Sequence, residues 1–203
     1  MNVNRRTQTE RTAATRAALI TAGRELFGQH GYAGVGTQAI VERAGVTRGA
    51  LYHQFDDKKG LFGAVYDELE KNVTGRIGVQ VIEIAESDPL GALKAGVRAF
   101  IEAFTDPSIH QIALVDAPAV LGWSEWRERG EKYGFALIDG LLRAAIDAGQ
   151  IADQPVRPIA HVAVGALDES ALYVAAAQDK DAAIAEVLVV MNRIIDAFRI
   201  DGK

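Results

Sequence analysis

The residue types that most often carry covalent or metal chemistry are sparse in this chain. It has no cysteine, which removes disulfides, thiol nucleophiles and Cys-based zinc sites. Its imidazoles, His30, His53, His110 and His161, are scattered and lack the HExxH spacing that puts two ligands on one helical face. No phosphate-cradling glycine loop, paired-carboxylate arrangement or Ser/His/Asp set stands out, so the expectation is a non-enzymatic protein with no cofactor and no metal. The one segment whose spacing points to a specific task is 37–55, TQAIVERAGVTRGALYHQF. Thr37 and Thr47 stand where helix N-caps belong, Gly45 suits a tight turn, and Ile40, Ala44, Val46 and Leu51 form a miniature core. These are the local requirements of a helix-turn-helix.

With Ala50, Leu51 and Phe55 turned inward, the second helix presents Thr47, Arg48, Gly49, Tyr52 and His53 to solvent. Such a face fits the major groove. Arg48 can give paired donors to guanine O6 and N7, Gly49 lets the backbone approach closely, and Tyr52 and His53 can bond phosphate oxygens. Tyr52 has a second reading, as an anchor on the domain's own first helix. Thr37 and Lys58, each at a helix start, suit backbone phosphates because exposed amides and positive charge meet there.

Positioning these residues requires helices, and the hydrophobic period supplies them. The pattern predicts helices over 12–30, 37–44, 47–54, from 57 through Leu69, and over 77–85, 90–104, 108–121, 125–148, 157–177 and 181–199, an all-α chain of about ten helices. Gly31, Asp88-Pro89, Asp106-Pro107, Gly122, Gly149 and Pro155 punctuate them. Three parts follow: a basic arm over 1–12, a helix-turn-helix domain over 13–57, and a helical bundle over 58–203. The 157–177 segment is apolar on more than one face, which points to a subunit interface formed with 125–148.

The 203 residues carry a net charge of −5, which taken alone argues against nucleic acid. The average hides a split. Residues 1–60 hold nine basic and five acidic residues, a balance of +4, and the rest of the chain holds 13 basic and 22 acidic, or −9. A DNA reader needs only its contact face basic. Arg5, Arg6 and Arg11 fit either a groove-binding arm or a merely solvated one. The N-terminus has no apolar core of a secretion signal and no long uncharged apolar run occurs, so a cytoplasmic protein without a membrane segment is expected.

From Leu19 to Leu61, with LF at 26–27, GY at 31–32, Thr37, AGVTRGALYHQF at 44–55 and KKGLF at 58–62, the chain resembles the TetR-family DNA-binding domain. The resemblance covers about a fifth of the chain. It implies a homodimeric, ligand-responsive regulator, most simply a repressor on a palindromic operator in double-stranded DNA, with Thr37, Thr47, Arg48, Gly49, Tyr52, His53 and Lys58 facing DNA. Two positions depart from the family pattern: Gly23 replaces a frequent alanine, and Gly60 replaces a frequent acid, so a capping box is missing. The segment DAPAVLGWSEWRE at 116–128 is similar to part of one subgroup of TetR-like C-terminal domains.

A sensing domain of this kind would hold a small-molecule effector between its helices. The candidate lining residues are Tyr66, Phe100, Phe104, His110, Asp116, Trp123, Trp126, Tyr133, Asp168, Glu169 and Tyr173. Asp168 and Glu169 interrupt an apolar run, where an unpaired buried charge is costly. A salt bridge to Arg143 or Arg157, one across the dimer, or contact with a ligand or a metal would each relieve it. A bundle too tightly packed for a pocket would point instead to a nucleoid-type binder without sensing.

Overall fold

Short polar side chains start most of the helices by accepting from the amides their first turns leave free. Thr47 accepts from the Ala50 amide at 3.2 Å, Asp57 from Gly60 at 2.7 Å, Asp88 from Gly91 at 3.0 Å, Asp106 from Ser108 at 2.8 Å and Asp179 from Ala182 at 3.0 Å. The computed structural model describes residues 8–200, and Arg5 and Arg6 of the expected arm lie outside them. Within the described residues there are nine helices and one isolated bridge, between Ile151 and Arg199.

The head comprises α1 (Gln8–His30), α2 (Thr37–Ala44) and α3 (Arg48–Phe55). The body comprises α4 (Lys58–Ala85), α5 (Pro89–Ala103), α6 (107–121), α7 (123–147), α8 (Val156–Ala176) and α9 (Lys180–Asp196). Both α6 and α7 contain a π-helical stretch, Gln111–Asp116 and Glu131–Phe135. Such bulges often mark functional places in a helix.

Three expectations need correction here. Residues 8–12 are helical, so the head's first helix takes in part of the expected arm, Arg11 included. The segments expected as separate helices around Leu69 and 77–85 form one 28-residue helix, because nothing between them breaks the pattern and the buried residues Leu69, Val73, Ile77 and Val81 continue one stripe. Finally, α2 is capped by Gly36 without any side-chain bond, and Thr37 is its first helical residue.

The head's core joins Leu19 and Phe27 of α1, Ile40 of α2, Leu51 of α3, and Leu61 and Phe62 of α4, all essentially inaccessible. Phe27, Tyr32 and Phe62 pack as an aromatic triplet with centroids 5.2 to 5.6 Å apart. The two glycine departures have packing reasons. A Cβ on Gly23 would stand 3.0 Å from Val65, so α1 and α4 cross too closely for alanine without adjustment. One on Gly60 would stand 2.7 Å from the Phe55 carbonyl oxygen.

The body buries α4 and α5 against α7, α8 and α9. Its large exposed apolar residues lie on α4 (Val79, Ile82, Ile84), α8 (Val162, Leu172, Tyr173) and α9 (Val189, Val190, Ile194), with Val115 on α6 and Trp123 on α7. Among the described residues none of these lies within 125–148. Helix α8 is long and apolar enough to cross a membrane by length and composition alone, and 22% of its most apolar stretch is buried within the chain.

Candidate functional site

The loop between α2 and α3 fixes the angle of the exposed helix. Gly45 adopts the left-handed conformation (φ 66°) and its amide bonds back to Glu42 O at 3.2 Å, while Val46 N reaches Val41 O at 3.0 Å. Helix α3 is then pinned to α1 by Arg16, which donates to Gln54 O at 3.3 Å and lies 4.4 Å from the Phe55 ring centroid. What remains outside is the expected face: Thr47, Arg48, Gly49, Tyr52 and His53 are all exposed, with Thr37 half-buried beside them.

Within that face, Arg48 donates to the Tyr52 hydroxyl at 3.4 Å and sits over its ring. Hydrogen bonds from Arg48 and Thr37 hold the Tyr52 phenol below its ordinary pKa. Tyr52 therefore stands on the outer surface among polar neighbours rather than as an anchor on α1. Gly49 meets no packing constraint: its hypothetical Cβ would have only Thr47 Oγ1, at 3.9 Å, nearby. Nothing inside the chain explains glycine at this position.

Lys58 departs from expectation. Its ammonium turns inward, donating to the Tyr32 and Val35 carbonyls at 2.9 Å each, and sits 3.9 Å from the Tyr32 ring centroid. The cation thus ties the loop after α1 to the start of α4. Three internal partners leave it as a structural tie rather than a free phosphate ligand. The neighbouring Lys59 reaches the body, pairing with Glu125 at 3.3 Å and donating to Leu121 O at 3.4 Å.

Head and body also meet along α1 and α6. A Cβ on Gly28 would stand 2.6 Å from that of Ser108, so the two helices touch at backbone distance. Asp116, placed by sequence in a ligand pocket, instead accepts from the Tyr32 amide at 2.8 Å. Its carboxylate takes the backbone donor at the end of α1's cap, just beyond Gly31.

The body holds a partly open cavity of about 400 Å³ walled by α4 (Tyr66, Glu70, Val73, Ile77), α5 (Leu93, Val97, Phe100), α6 (Ala113, Leu114), α7 (Trp126, Phe135, Leu141), α8 (Ile159, Leu167, Asp168) and α9 (Met191, Ile195), with the exposed Val162 and Ile194 at its rim. This size suits a drug-sized molecule. Its polar lining comprises Glu70, Thr74, Arg127, Glu131, His161 and Asp168. Asp168 accepts from Arg127 at 3.1 Å, so the partner is neither Arg143 nor Arg157. Burial still outweighs Arg127 and pushes the Asp168 carboxyl up to about 6. Glu131 faces Arg157 and His161, each at 3.7 Å.

Glu70 is different. Burial first, then the nearby Asp168 and Asp67 carboxylates, push its pKa up to about 8. It has neither a hydrogen bond nor an ion pair among the described residues. Tyr66 is deeply buried, and burial raises its phenol well above the ordinary value.

Of the expected pocket residues, Tyr66, Phe100, Trp126 and Asp168 meet at this cavity. Phe104 does not line it but stacks behind Phe100 with centroids 4.2 Å apart. His110, Tyr133, Trp123, Glu169 and Tyr173 are also outside the lining. Trp123 is 68% exposed and packs on Trp126; Tyr173 is exposed and faces Glu186; Glu169 is exposed, one helical step round from Asp168. Burial lowers the His110 pKa, and its Nδ1 has no partner. Sequence reasoning missed Glu70, Arg127, Glu131 and His161. The one available signal was Glu70's spacing, between the stripe residues Tyr66 and Val73 of α4.

A helical body with an internal cavity joined to a helix-turn-helix head defines a DNA-binding regulator, and comparisons agree. Residues 19–65 match the model of bacterial regulatory proteins of the TetR family, and residues 90–198 match the Tetracyclin repressor-like C-terminal domain. The second match alone covers more than half of the chain, and the protein belongs to the TetR family of transcriptional regulators. It is 28% identical over 161 residues to the HTH-type transcriptional repressor BepR of Brucella suis biovar 1, covering 74% of each chain. A TetR-family regulator from Pectobacterium atrosepticum superposes with a TM-score of 0.82 at 29% identity, covering 98% of this chain and 100% of that one. RolR in complex with resorcinol shares the fold, with a TM-score of 0.72 at 19% identity, covering 96% and 99%.

Proposed function

We propose that the protein is a repressor that binds a near-palindromic operator as a homodimer and leaves it when a small-molecule effector fills the cavity. The observation that carries this reading is the course of α6. Its Ala113 and Leu114 wall the cavity, and two residues further on Asp116 holds the Tyr32 amide of the head. A change in the cavity that moves this helix also moves the backbone between α1 and α2. The ligand needs only to favour one head orientation, by about 1–3 kcal/mol in typical cases. The open cavity favours this over a nucleoid-type binder without sensing.

Thr47, Arg48, Gly49, Tyr52 and His53 form the reading face, with Arg48 specifying bases and the others positioning the backbone. Lys58 contributes by holding that face in place. The exposed apolar residues of α8 and α9 supply the dimer surface, and two heads related by its twofold axis would enter successive major grooves about 34–36 Å apart. BepR's description as a repressor and the resorcinol held by RolR support repression and small-molecule sensing. Such a protein works where its operator is, in the cytoplasm.

The test is operator release. Native mass spectrometry of the purified dimer identifies co-purifying small molecules, and fluorescence anisotropy on a selected operator measures what they do. A cavity ligand that lowers operator affinity supports the reading; ligand occupancy with unchanged operator affinity overturns it.

A further inference from the structure

The polar lining of the cavity is unbalanced in charge. Three carboxylates line it, Glu70, Asp168 and Glu131, and two of them already face an arginine: Arg127 holds Asp168, while Arg157 stands 3.7 Å from Glu131. Asp67, close enough to influence Glu70, is held by Arg129 at 2.6 Å. Among the described residues, Glu70 is the one of these three carboxylates without a partner, and its acidic neighbours make the potential around it negative. The rest of the wall is apolar and aromatic, with Tyr66, Phe100, Trp126 and Phe135 around it. Aromatic faces attract cations and repel anions.

From this arrangement, and resting on the reading of the cavity as the effector site, we propose that the effector is a lipophilic cation, an apolar molecule whose positively charged nitrogen seats beside Glu70. An anionic ligand would meet the negative potential with no free cation to answer it. A neutral ligand gains at most a single hydrogen bond from the half-buried, protonated Glu70. A cation converts the liability into an ion pair within a wall of low dielectric. Because the empty site holds Glu70 largely protonated at neutral pH, the cation displaces that proton to solvent on binding. Affinity for a permanently charged ligand therefore climbs with pH and levels off above about 8.

The probes are three phenylbutyl compounds ending in trimethylammonium, hydroxyl or carboxylate, titrated calorimetrically into the full chain and into Glu70→Gln. The ammonium is expected to bind about tenfold or more tighter than the alcohol, and Glu70→Gln to remove that preference while binding the alcohol as the parent does. Retained alcohol binding also shows that the variant keeps its cavity. Equal or tighter binding of the alcohol or the carboxylate, or an ammonium preference that survives Glu70→Gln, overturns the cation assignment and leaves cavity sensing standing. If none of the three binds, the cation assignment falls, and cavity sensing is decided by operator release alone.

Discussion

Replacing Lys58 by methionine separates a structural tie from a DNA contact. Methionine keeps the length of the side chain and removes the charge, leaving the Tyr32 and Val35 carbonyls without the donors they have at 2.9 Å. A hydrogen bond from a charged donor contributes about 1.5–3 kcal/mol. Cation–π contact with Tyr32 adds about 0.5–1 kcal/mol at a half-buried site. The three interactions share one ammonium and water can replace part of them, so the expected loss is about 2–4 kcal/mol rather than their sum. The assay pairs urea denaturation with the salt dependence of operator binding. Each phosphate contact adds about one unit to the slope of log K against log salt. Lys58→Met is expected to unfold at markedly lower urea and to keep the parent's salt slope. A variant as stable as the parent whose slope falls by about one unit would refute the internal role and restore Lys58 as a phosphate ligand.

Three further outcomes follow from the same geometry. Asp116→Ala removes the acceptor of the Tyr32 amide and is expected to leave cavity binding intact while reducing the effector's influence on operator affinity severalfold; unchanged coupling in paired calorimetry and anisotropy would dismiss α6 as the link. Glu70 and Asp168 have folded-state values raised to about 8 and about 6 from ordinary values near 4.5 and 3.8, so the folded chain binds more protons than the unfolded one and stability falls as pH rises from about 4 to 8. Thermal melts across that window should show the fall, and Glu70→Gln should flatten its upper part; a parallel pH profile in the variant would contradict the raised value. Val190→Glu together with Ile194→Glu places charge on the exposed apolar face of α9 and is expected to give monomers by sedimentation velocity, with an intact dimer locating the interface elsewhere.

The head was far more legible in the sequence than the cavity. Thr47, Gly45 and the stripe Ile40–Leu51 obey local rules, in which a cap, a turn and a 3.6-residue period are all decided within a few positions. The same locality explains the misreading of Lys58, since its partners Tyr32 and Val35 lie 26 and 23 residues away, across a chain reversal that no periodicity encodes. In the cavity, Arg127 and Asp168 are 41 residues apart and Asp116 and Tyr32 are 84 apart. Composition could single out Asp168 and Glu169 as awkward within an apolar run, but one position on a helix is a turn of about 100°, enough to put Asp168 on the cavity and Glu169 in solvent. Glu70 escaped notice because a lone acid between apolar residues on a long helix is ordinary until the facing helices show that nothing answers its charge.

The reading face is the centre of the account, and selection from a random duplex library at about 0.15 M salt tests it most directly. The parent protein is expected to enrich a near-palindromic sequence, and Arg48→Ala to lose discrimination at one base pair of each half-site while retaining most non-specific affinity. No enrichment by the parent, or an identical selected sequence from Arg48→Ala, would contradict it.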